Sequence, residues 1–157
     1  MIHINVICIG KIKEKYLKEA ILEYSKRLSK YCKLNIVEIT DEPIPNNLSN
    51  KTIQIIKDIE GNKILNYLNN SYIISLDLKG KEYSSEDFSN KIENIVLNFN
   101  SSITFVIGGS LGLSQDVLKK SNELVCFSKM TFPHQLIRVF LLEQLFRSFK
   151  IQNNETY

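Results

Sequence analysis

Strand-like and helix-like segments alternate along the whole chain. Runs rich in β-branched and aromatic residues predict five strands, at residues 2–9, 34–39, 72–78, 103–107 and 124–127. Each run precedes a segment with apolar residues at helical spacing, near 16–28, 51–68, 84–95, 114–120 and 133–152. This alternation predicts an α/β fold, a mostly parallel sheet with helices on both faces. We expect residues 1–157 to form a single domain, since this length suffices for one core.

Punctuating residues refine the boundaries of these segments. The Pro- and Asn-rich segment 41–50 predicts a mobile surface loop, and 79–81 predicts a turn after the third strand. Ser84 or Ser85 is expected to cap the third helix, and Pro133 to occupy the first position of the last one. Four residues of the second helix are predicted to face the core: Ile53, Ile56, Ile64 and Tyr67.

The arrangement of the cysteines and the hydropathy of the chain indicate its cellular compartment. Cys8, Cys32 and Cys126 lie far apart, form no C-x-x-C pair and are odd in number. We interpret them as reduced and buried, which predicts a cytoplasmic protein. No apolar run approaches eighteen residues and no leader pattern follows Met1, so no membrane association is expected.

The small net charge of +3 hides a local excess. Residues 1–33 carry eight basic groups against three acidic ones, a balance of +5, and the remainder of the chain is −2. A solvated face of the first helix and a phosphate-facing patch are equally good interpretations of this excess. The basic groups are Lys11, Lys13, Lys15, Lys18, Lys26, Arg27, Lys30 and Lys33.

The last helix is apolar around almost its whole circumference. One face of a sheet cannot cover such a helix in a small protein, so we predict that a second copy buries the rest in a homodimer. Arg138, Glu143 and Arg147 interrupt the pattern too regularly for a membrane segment. The apolar positions are Leu136, Ile137, Val139, Phe140, Leu141, Leu142, Leu145, Phe146 and Phe149.

Two loops follow predicted strands at the place where α/β sheets bind ligands. A glycine-rich loop at 108–112 follows the fourth strand, and residues 128–133 follow the fifth. Because ligands bind beyond the carboxyl ends of parallel strands, we expect the two loops to wall one pocket. Glycine permits close approach of backbone to a ligand, and the backbone groups of 128–131 could hold an adenine edge. An ordinary strand-to-helix turn explains the glycines equally well.

The sequence lacks the motifs that several common reaction types require. The glycine spacing departs from G-x-G-x-x-G and follows the wrong strand, and no P-loop, G-x-S-x-G or H-E-x-x-H motif is present. His3 and His134 are the only histidines, so hydrolase triads and zinc sites lack their parts and metal-free chemistry is predicted. A helix residue without a chemical role is an open interpretation of His134.

Four motifs together resemble a known family. They are Ile107-Gly-Gly-Ser-x-Gly-Leu113, Phe127-Ser-Lys-Met-Thr-Phe-Pro-His134, Arg138-Val139 and Glu143-Gln-Leu-Phe-Arg147. In order and spacing they are similar to the large-subunit ribosomal RNA pseudouridine N3-methyltransferases (RlmH), a minimal SPOUT family. The resemblance runs from the opening Ile-Gly-Lys-x-Lys to Tyr157, essentially the whole chain.

The resemblance implies an activity and its partners. The family binds S-adenosyl-L-methionine in a C-terminal trefoil knot and forms an obligate homodimer. It methylates N3 of a pseudouridine in helix 69 of the 23S rRNA, in the assembled ribosome. Its cofactor contacts fall here on Leu76, Gly108, Phe127, Ser128, Lys129, Met130, Thr131 and Phe132.

The candidate catalytic residues that accompany the resemblance lie on the last helix and at Tyr157. Glu143 and Arg147 are spaced for an ion pair on one helix face, a region that lies beside the active site in the family. Tyr157, Arg147 and His134 are the candidates for proton acceptor or anion stabiliser. Relatives commonly continue past the equivalent of Tyr157 with a histidine and a basic residue. We therefore expect those RNA contacts to be missing here or supplied otherwise.

Two functions of other classes stay open at this point. A non-catalytic ribosome- or RNA-binding protein could retain the fold and lose the chemistry. An oxidoreductase with a nucleotide cofactor could use an atypical glycine loop, and would bind a dinucleotide in place of S-adenosylmethionine.

Overall fold

A computed structural model describes residues 1–157 as alternating strands and helices. The strands are β1 (Ile2–Ile9), β2 (Cys32–Ile39), β3 (Tyr72–Lys81), β4 (Ser102–Ile107) and β5 (Glu123–Val125). The helices are α1 (Lys15–Leu28), α2 (Asn50–Leu65), α3 (Ser85–Asn98), α4 (Gln115–Lys120) and α5 (His134–Gln152). The predicted alternation of five strands and five helices is confirmed, with boundaries shifted by a few residues.

The five strands form one sheet in the order β2-β1-β4-β3-β5, and every neighbouring pair is parallel. All carboxyl ends therefore lie along the same edge. The predicted α/β class is confirmed, and the sheet is parallel throughout.

Side chains of alternating strand positions pack under helices on both faces. Ile4, Val6 and Cys8 of β1 belong to a core that includes residues of α1, α3 and α5. Ile7 and Ile9 belong to a second core that includes residues of α2 and α4. The helix contributions are Leu28, Phe88, Ile92, Ile95, Leu141, Leu142, Leu145 and Phe149 on the first face, and Ile64 and Val117 on the second.

Cap residues fix where several helices begin. Ser84 Oγ accepts the N–H of Asp87 at 3.0 Å, which identifies Ser84 as the cap of α3. Pro133 has an extended backbone and precedes the first helical residue, His134. The predicted first helical position for Pro133 is therefore off by one residue.

The third strand departs most from its prediction. The turn expected at 79–81 is wrong, because β3 continues to Lys81 and pairs with Val125 twice, at Leu76 and at Lys81. A Cβ on Gly80 would lie 2.6 Å from backbone atoms of Leu124 and Val125. Glycine therefore lets two backbone segments pass in contact here, where we expected it to end the strand. The trefoil knot stays a prediction.

Other local predictions have mixed outcomes. Of the segment predicted as a loop, residues 41–49 form one and most of them are exposed, whereas Asn50 begins α2. Tyr67 lies beyond the end of α2 and is 50% exposed, so its predicted core position is wrong. All three cysteines are free and buried, as predicted. None of the helices combines the length and apolarity required to cross a bilayer.

Helix α5 is held on three sides. It packs against α1 and α3, and its Leu141, Leu142 and Leu145 are buried. Near its start, the buried Arg138 donates to the C=O groups of Ile9 and Gly10 at 3.0 and 2.7 Å. Arg138 also binds Glu38 of β2 at 2.8 Å. These contacts tie α5 to the carboxyl-end edge of the sheet.

Candidate active site

A cavity of about 340 Å³ lies beside the carboxyl end of β5. We call it the aromatic cavity. Its size lies within the usual range for small-molecule sites. Its walls come from the start of α3, the loop after β5 and the first half of α5. The lining residues are Tyr83, Ser84, Ser85, Phe88, Val125, Cys126, Phe127, Ser128, Phe132, Phe140 and Gln144.

Two edge-to-face aromatic pairs shape this cavity. Phe88 and Phe127 have ring centroids 6.2 Å apart, and Phe132 and Phe140 have centroids 5.4 Å apart. The hydroxyl-bearing side chains of Tyr83, Ser84, Ser85 and Ser128 add polar groups to the lining. Apolar walls with a few polar groups suit a flat ring with polar edges.

Most backbone N–H groups of the loop after β5 make no hydrogen bond within the chain. Within 127–132 a single N–H group donates, that of Met130, to Ser128 Oγ at 3.0 Å. The other five N–H groups of this segment find no acceptor in the chain. They are therefore available to a ligand at the cavity.

The predicted cofactor residues are distributed unequally around this cavity. Phe127, Ser128 and Phe132 line it, whereas Lys129, Met130 and Thr131 are exposed and are not among its lining residues. Leu76 does not line the cavity, but it pairs in register with the lining residue Val125. Gly108 is not among the lining residues.

The glycine loop is a tight turn with its own packing. Gly112 N–H donates to Gly109 C=O at 3.1 Å, and Gly112 has a φ of 88°, a conformation that favours glycine. A Cβ on Gly108 would lie 2.9 Å from Leu113 Cδ2. Packing against Leu113 and against the Gly112 backbone at 3.1 Å therefore leaves little room for a side chain at 108. The Gly108 N–H has no acceptor in the chain and can still serve a ligand.

The two loops lie at separate cavities, so the expectation that they wall one pocket is wrong. Gly109, Ser110 and Leu111 line a second cavity of about 20 Å³, together with His134 and three acidic side chains. A volume that small holds one water molecule and excludes a cofactor. No group of three or more His, Cys, Asp or Glu side chains is placed to hold a metal ion.

Three side chains meet near the C-terminus, and we call them the Glu143 cluster: Glu143, Arg147 and Tyr157. Glu143 Oε1 accepts Arg147 Nη2 at 2.6 Å, Arg147 Nε at 3.1 Å and the Tyr157 hydroxyl at 2.5 Å. The Arg147 guanidinium carbon lies 3.8 Å from the centre of the Tyr157 ring. The predicted ion pair is confirmed, and two of the three catalytic candidates are in contact.

Hydrogen bonding sets the protonation of this cluster. The bond to Glu143, reinforced by burial, raises the pKa of Tyr157 to about 12. The same carboxylate raises the pKa of Arg147. At neutral pH the phenol therefore keeps its proton and the guanidinium its charge. Tyr157 can donate a hydrogen bond but is a poor proton acceptor.

A second carboxylate anchors the tail that carries Tyr157. Glu155 accepts the Tyr31 hydroxyl at 2.7 Å and the ammonium groups of Lys30 and Lys150 at 3.2 and 3.0 Å. The Tyr31 hydrogen bond and the two lysines lower the pKa of Glu155 to about 2. Sequence reasoning missed Glu155, because Tyr31 lies 124 positions away and no local pattern joins them.

Gln144 connects the aromatic cavity with the Glu143 cluster. Its Nε2 donates to Glu143 Oε2 at 3.0 Å, and its Oε1 accepts the Ser85 hydroxyl at 2.8 Å. Because Gln144 and Ser85 both line the cavity, the cavity and the cluster adjoin. Sequence reasoning missed this residue as well, since only the fold brings α3 against α5.

His134 lies apart from the other catalytic candidates. It is thirteen positions before Arg147 on α5, roughly 20 Å along the axis at the usual helical rise. A Cβ on Gly10 would lie 3.3 Å from its Nε2. Burial, with the charge of Arg138, lowers the pKa of His134. The structure places this imidazole at the glycine-loop end of the helix, away from the Glu143 cluster.

Comparison with known proteins identifies the family of this chain. Residues 2–157 match the family model described as "Predicted SPOUT methyltransferase". A "Ribosomal RNA large subunit methyltransferase H" of Clostridium botulinum (strain Eklund 17B / Type B) is 63% identical over 156 residues, 99% of this chain and 98% of that protein. The protein of the same name from strain Langeland / NCTC 10281 / Type F is 62% identical over the same lengths.

A solved structure supports the fold. A probable methylase family protein from Haemophilus influenzae Rd KW20 superimposes with a TM-score of 0.54 at 13% identity. The match covers 96% of this chain and 68% of the other. On the full-length family match and these identities, the chain belongs to the SPOUT methyltransferase family, in the group of ribosomal RNA large subunit methyltransferases H.

Proposed function

We propose that this chain, acting as a single domain in a cytoplasmic homodimer, transfers a methyl group from S-adenosyl-L-methionine to ribosomal RNA. The acceptor we propose is N3 of a pseudouridine in helix 69 of the 23S rRNA, in the assembled ribosome. One observation carries this proposal: a ligand-sized cavity adjoins a carboxylate–guanidinium–phenol cluster, with Gln144 between them. The names of the curated relatives support large-subunit rRNA as the substrate.

The aromatic cavity has the properties that S-adenosylmethionine requires. Its rings can pack against the adenine, and the free N–H groups of the loop after β5 can bind polar edges of the cofactor. When bound, the cofactor supplies an electrophilic methyl group on a positively charged sulfur. The chain's part is to hold that methyl group in line with the acceptor nitrogen and to exclude water.

The acceptor requires removal of a proton. N3 of a pseudouridine carries hydrogen, so the base must lose it or have its developing negative charge stabilised during attack. Arg147 can stabilise that charge, since its guanidinium keeps its proton. Tyr157 can donate a hydrogen bond to a carbonyl oxygen of the base. Glu143 is the carboxylate nearest to both and is the acceptor we propose for the proton.

This assignment revises the roles of the three sequence candidates. Arg147 and Tyr157 act together, with Tyr157 as donor in place of base. His134 lies roughly 20 Å along the helix from Arg147. Its proposed role is therefore structural, in the packing of the glycine loop against α5.

The surface of α5 supports a dimer. Phe140 remains 36% exposed, and Leu136, Val139 and Phe146 are only partly buried within one chain. A second copy of the chain would cover these residues and bring a second tail near the cavity.

The carboxyl-end edge of the sheet supports an RNA-facing surface. Lys11, Lys13 and Lys15 follow β1 at this edge, where the cavity also lies, and their side chains are exposed. Three strand spacings separate β1 from β5, about 14 Å. Phosphates of an RNA hairpin can therefore contact these lysines while one base reaches the cavity.

The direct test of the function is mass mapping of ribosomal RNA from cells lacking the protein. We expect one methyl group to be lost from a helix 69 pseudouridine and to return when the gene is restored. An unchanged helix 69 fragment would contradict the proposed substrate. Binding of a dinucleotide in place of S-adenosylmethionine would favour an oxidoreductase.

The first prediction concerns the cavity wall. Phe132→Ala should weaken S-adenosylmethionine binding by about tenfold or more, because it removes a ring that contacts Phe140 and lines the cavity. Lys129→Ala is the matched control from the same loop and should bind normally, since the Lys129 side chain is exposed. Isothermal titration calorimetry measures both. Equal affinities in the two variants would exclude the aromatic cavity as the cofactor site.

The second prediction concerns Tyr157 and pH. Tyr157→Phe should slow single-turnover methyl transfer by about tenfold or more, since it removes a hydrogen bond to a charged group. Because the pKa of Tyr157 is raised to about 12, its proton is present throughout the neutral range. The ratio of variant to wild-type rates should therefore be constant between about pH 6 and pH 9. Tyr67→Phe, at a half-exposed tyrosine, is the control.

The third prediction concerns assembly. Light scattering at micromolar concentration should give about twice the chain mass of 18.2 kDa, because a monomer would leave the apolar side of α5 in water. A stable monomer with full activity would contradict the proposed dimer.

The fourth prediction concerns the lysines at the sheet edge. Replacing Lys11, Lys13, Lys15 and Lys18 with Gln should weaken ribosome binding and flatten its log–log salt dependence, by roughly one unit for each phosphate that is no longer bound. Cofactor affinity should not change. The control replaces Lys119 and Lys120, exposed residues at the far end of α4. An unaltered slope in the first variant would move the RNA surface elsewhere.

A further inference from the structure

Gln144 is the only lining residue of the aromatic cavity that hydrogen-bonds to the Glu143 cluster. It sits on α5 directly after Glu143, yet its amide reaches across to Ser85 at the start of α3. The side chain therefore joins two elements that both line the cavity.

The orientation of the Gln144 amide is set by its two partners. The Glu143 carboxylate only accepts hydrogen bonds, so the amide must present its NH2 group there. The carbonyl oxygen then points to the Ser85 hydroxyl, which donates at 2.8 Å. A flipped amide would set two acceptors against each other. Ser84 caps α3 and so fixes the position of Ser85.

The Glu143 carboxylate depends on Gln144 for one of its two oxygens. Arg147 and Tyr157 both bind Oε1, whereas Oε2 receives Gln144 Nε2. With donors at both oxygens, the plane of the carboxylate is fixed. Without Gln144, Oε2 of Glu143 loses its hydrogen bond on the cavity side. The carboxylate is then held by hydrogen bonds at Oε1 alone and can rotate about them.

We propose that Gln144 is a positioning residue for methyl transfer: it fixes the Glu143 carboxylate relative to the cavity by bridging it to Ser85. The inference rests on the proposed function, because it assigns the orientation of the proton acceptor in that reaction. Gln144 acts on the reaction indirectly, by orienting Glu143.

The test compares kcat, KM and cofactor binding in Gln144→Leu. The leucine keeps a similar volume but cannot bind either partner. We expect kcat for ribosome methylation to fall by about ten- to a hundredfold, the usual effect of a misplaced reacting group. We expect KM for ribosomes to stay close to wild type. Because Gln144 also lines the cavity, cofactor affinity is measured separately by calorimetry and kcat is taken at saturating S-adenosylmethionine, so that a change in affinity does not enter the comparison.

Gln152→Leu is the matched control. Gln152 also extends from α5 to α3, where its Nε2 donates to Ser89 C=O at 3.0 Å, but it does not line the cavity. Both variants lose a glutamine hydrogen bond between the same two helices. A purely structural role of Gln144 would give the two variants the same loss of melting temperature and the same kcat.

Gln144→Glu provides a second readout that packing alone would not change. At neutral pH its carboxylate would face that of Glu143, and the repulsion should displace the latter. As pH falls, a proton shared by the two carboxylates restores a hydrogen bond. The ratio of variant to wild-type kcat should therefore rise as pH is lowered from about 8 to about 6.

The outcomes separate the two proposals. A large kcat loss in Gln144→Leu with a near-normal Gln152→Leu, and a pH-dependent recovery in Gln144→Glu, would support the positioning role. Equal kcat in the Gln144→Leu and Gln152→Leu variants, or a pH-independent ratio, would overturn it while leaving the proposed function intact. Failure of the wild-type protein to methylate ribosomes would overturn both.

Discussion

The double pairing of Val125 is the constraint on which the site depends. Val125 pairs with Leu76 and again with Lys81, so the end of β3 and the short β5 are held together in two places. Gly80 permits this contact, since any side chain there would meet the backbone of Leu124 and Val125. The loop after β5 is therefore fixed against the start of α3, and the aromatic cavity lies between them.

The chemistry of the site depends on a carboxylate with donors on both sides. Glu143 receives Arg147, Tyr157 and Gln144, which leaves the phenol and the guanidinium protonated at neutral pH. The tail reaches this position because Glu155 is fixed by Tyr31 and two lysines. The proposed active site thus combines a rigid helix with a tail that is anchored two residues before its last side chain.

Much of the fold and part of the site could be predicted from sequence. Alternating periodicities gave the order of elements, and the motif at 127–134 located the cavity loop. The Glu143–Arg147 pair followed from helical spacing. The prediction for 79–81 failed because glycine has two uses, turning a chain and letting two backbones touch, and the local pattern does not distinguish them. The sequence also offers His134 beside Arg147 as a catalytic candidate, but thirteen positions of α5 separate the two residues.

The sequence by itself determined the parallel α/β class, the loops after β4 and β5 and the apolar character of α5, because these depend on patterns within short segments. Only the tertiary structure decided which loop forms the cavity, that Gln144 meets Ser85 across 59 positions, and that Tyr31 anchors Glu155 across 124. Hydrogen bonds between distant residues depend on how helices pack on the sheet. A local pattern predicts that a side chain faces inward but does not identify its partner.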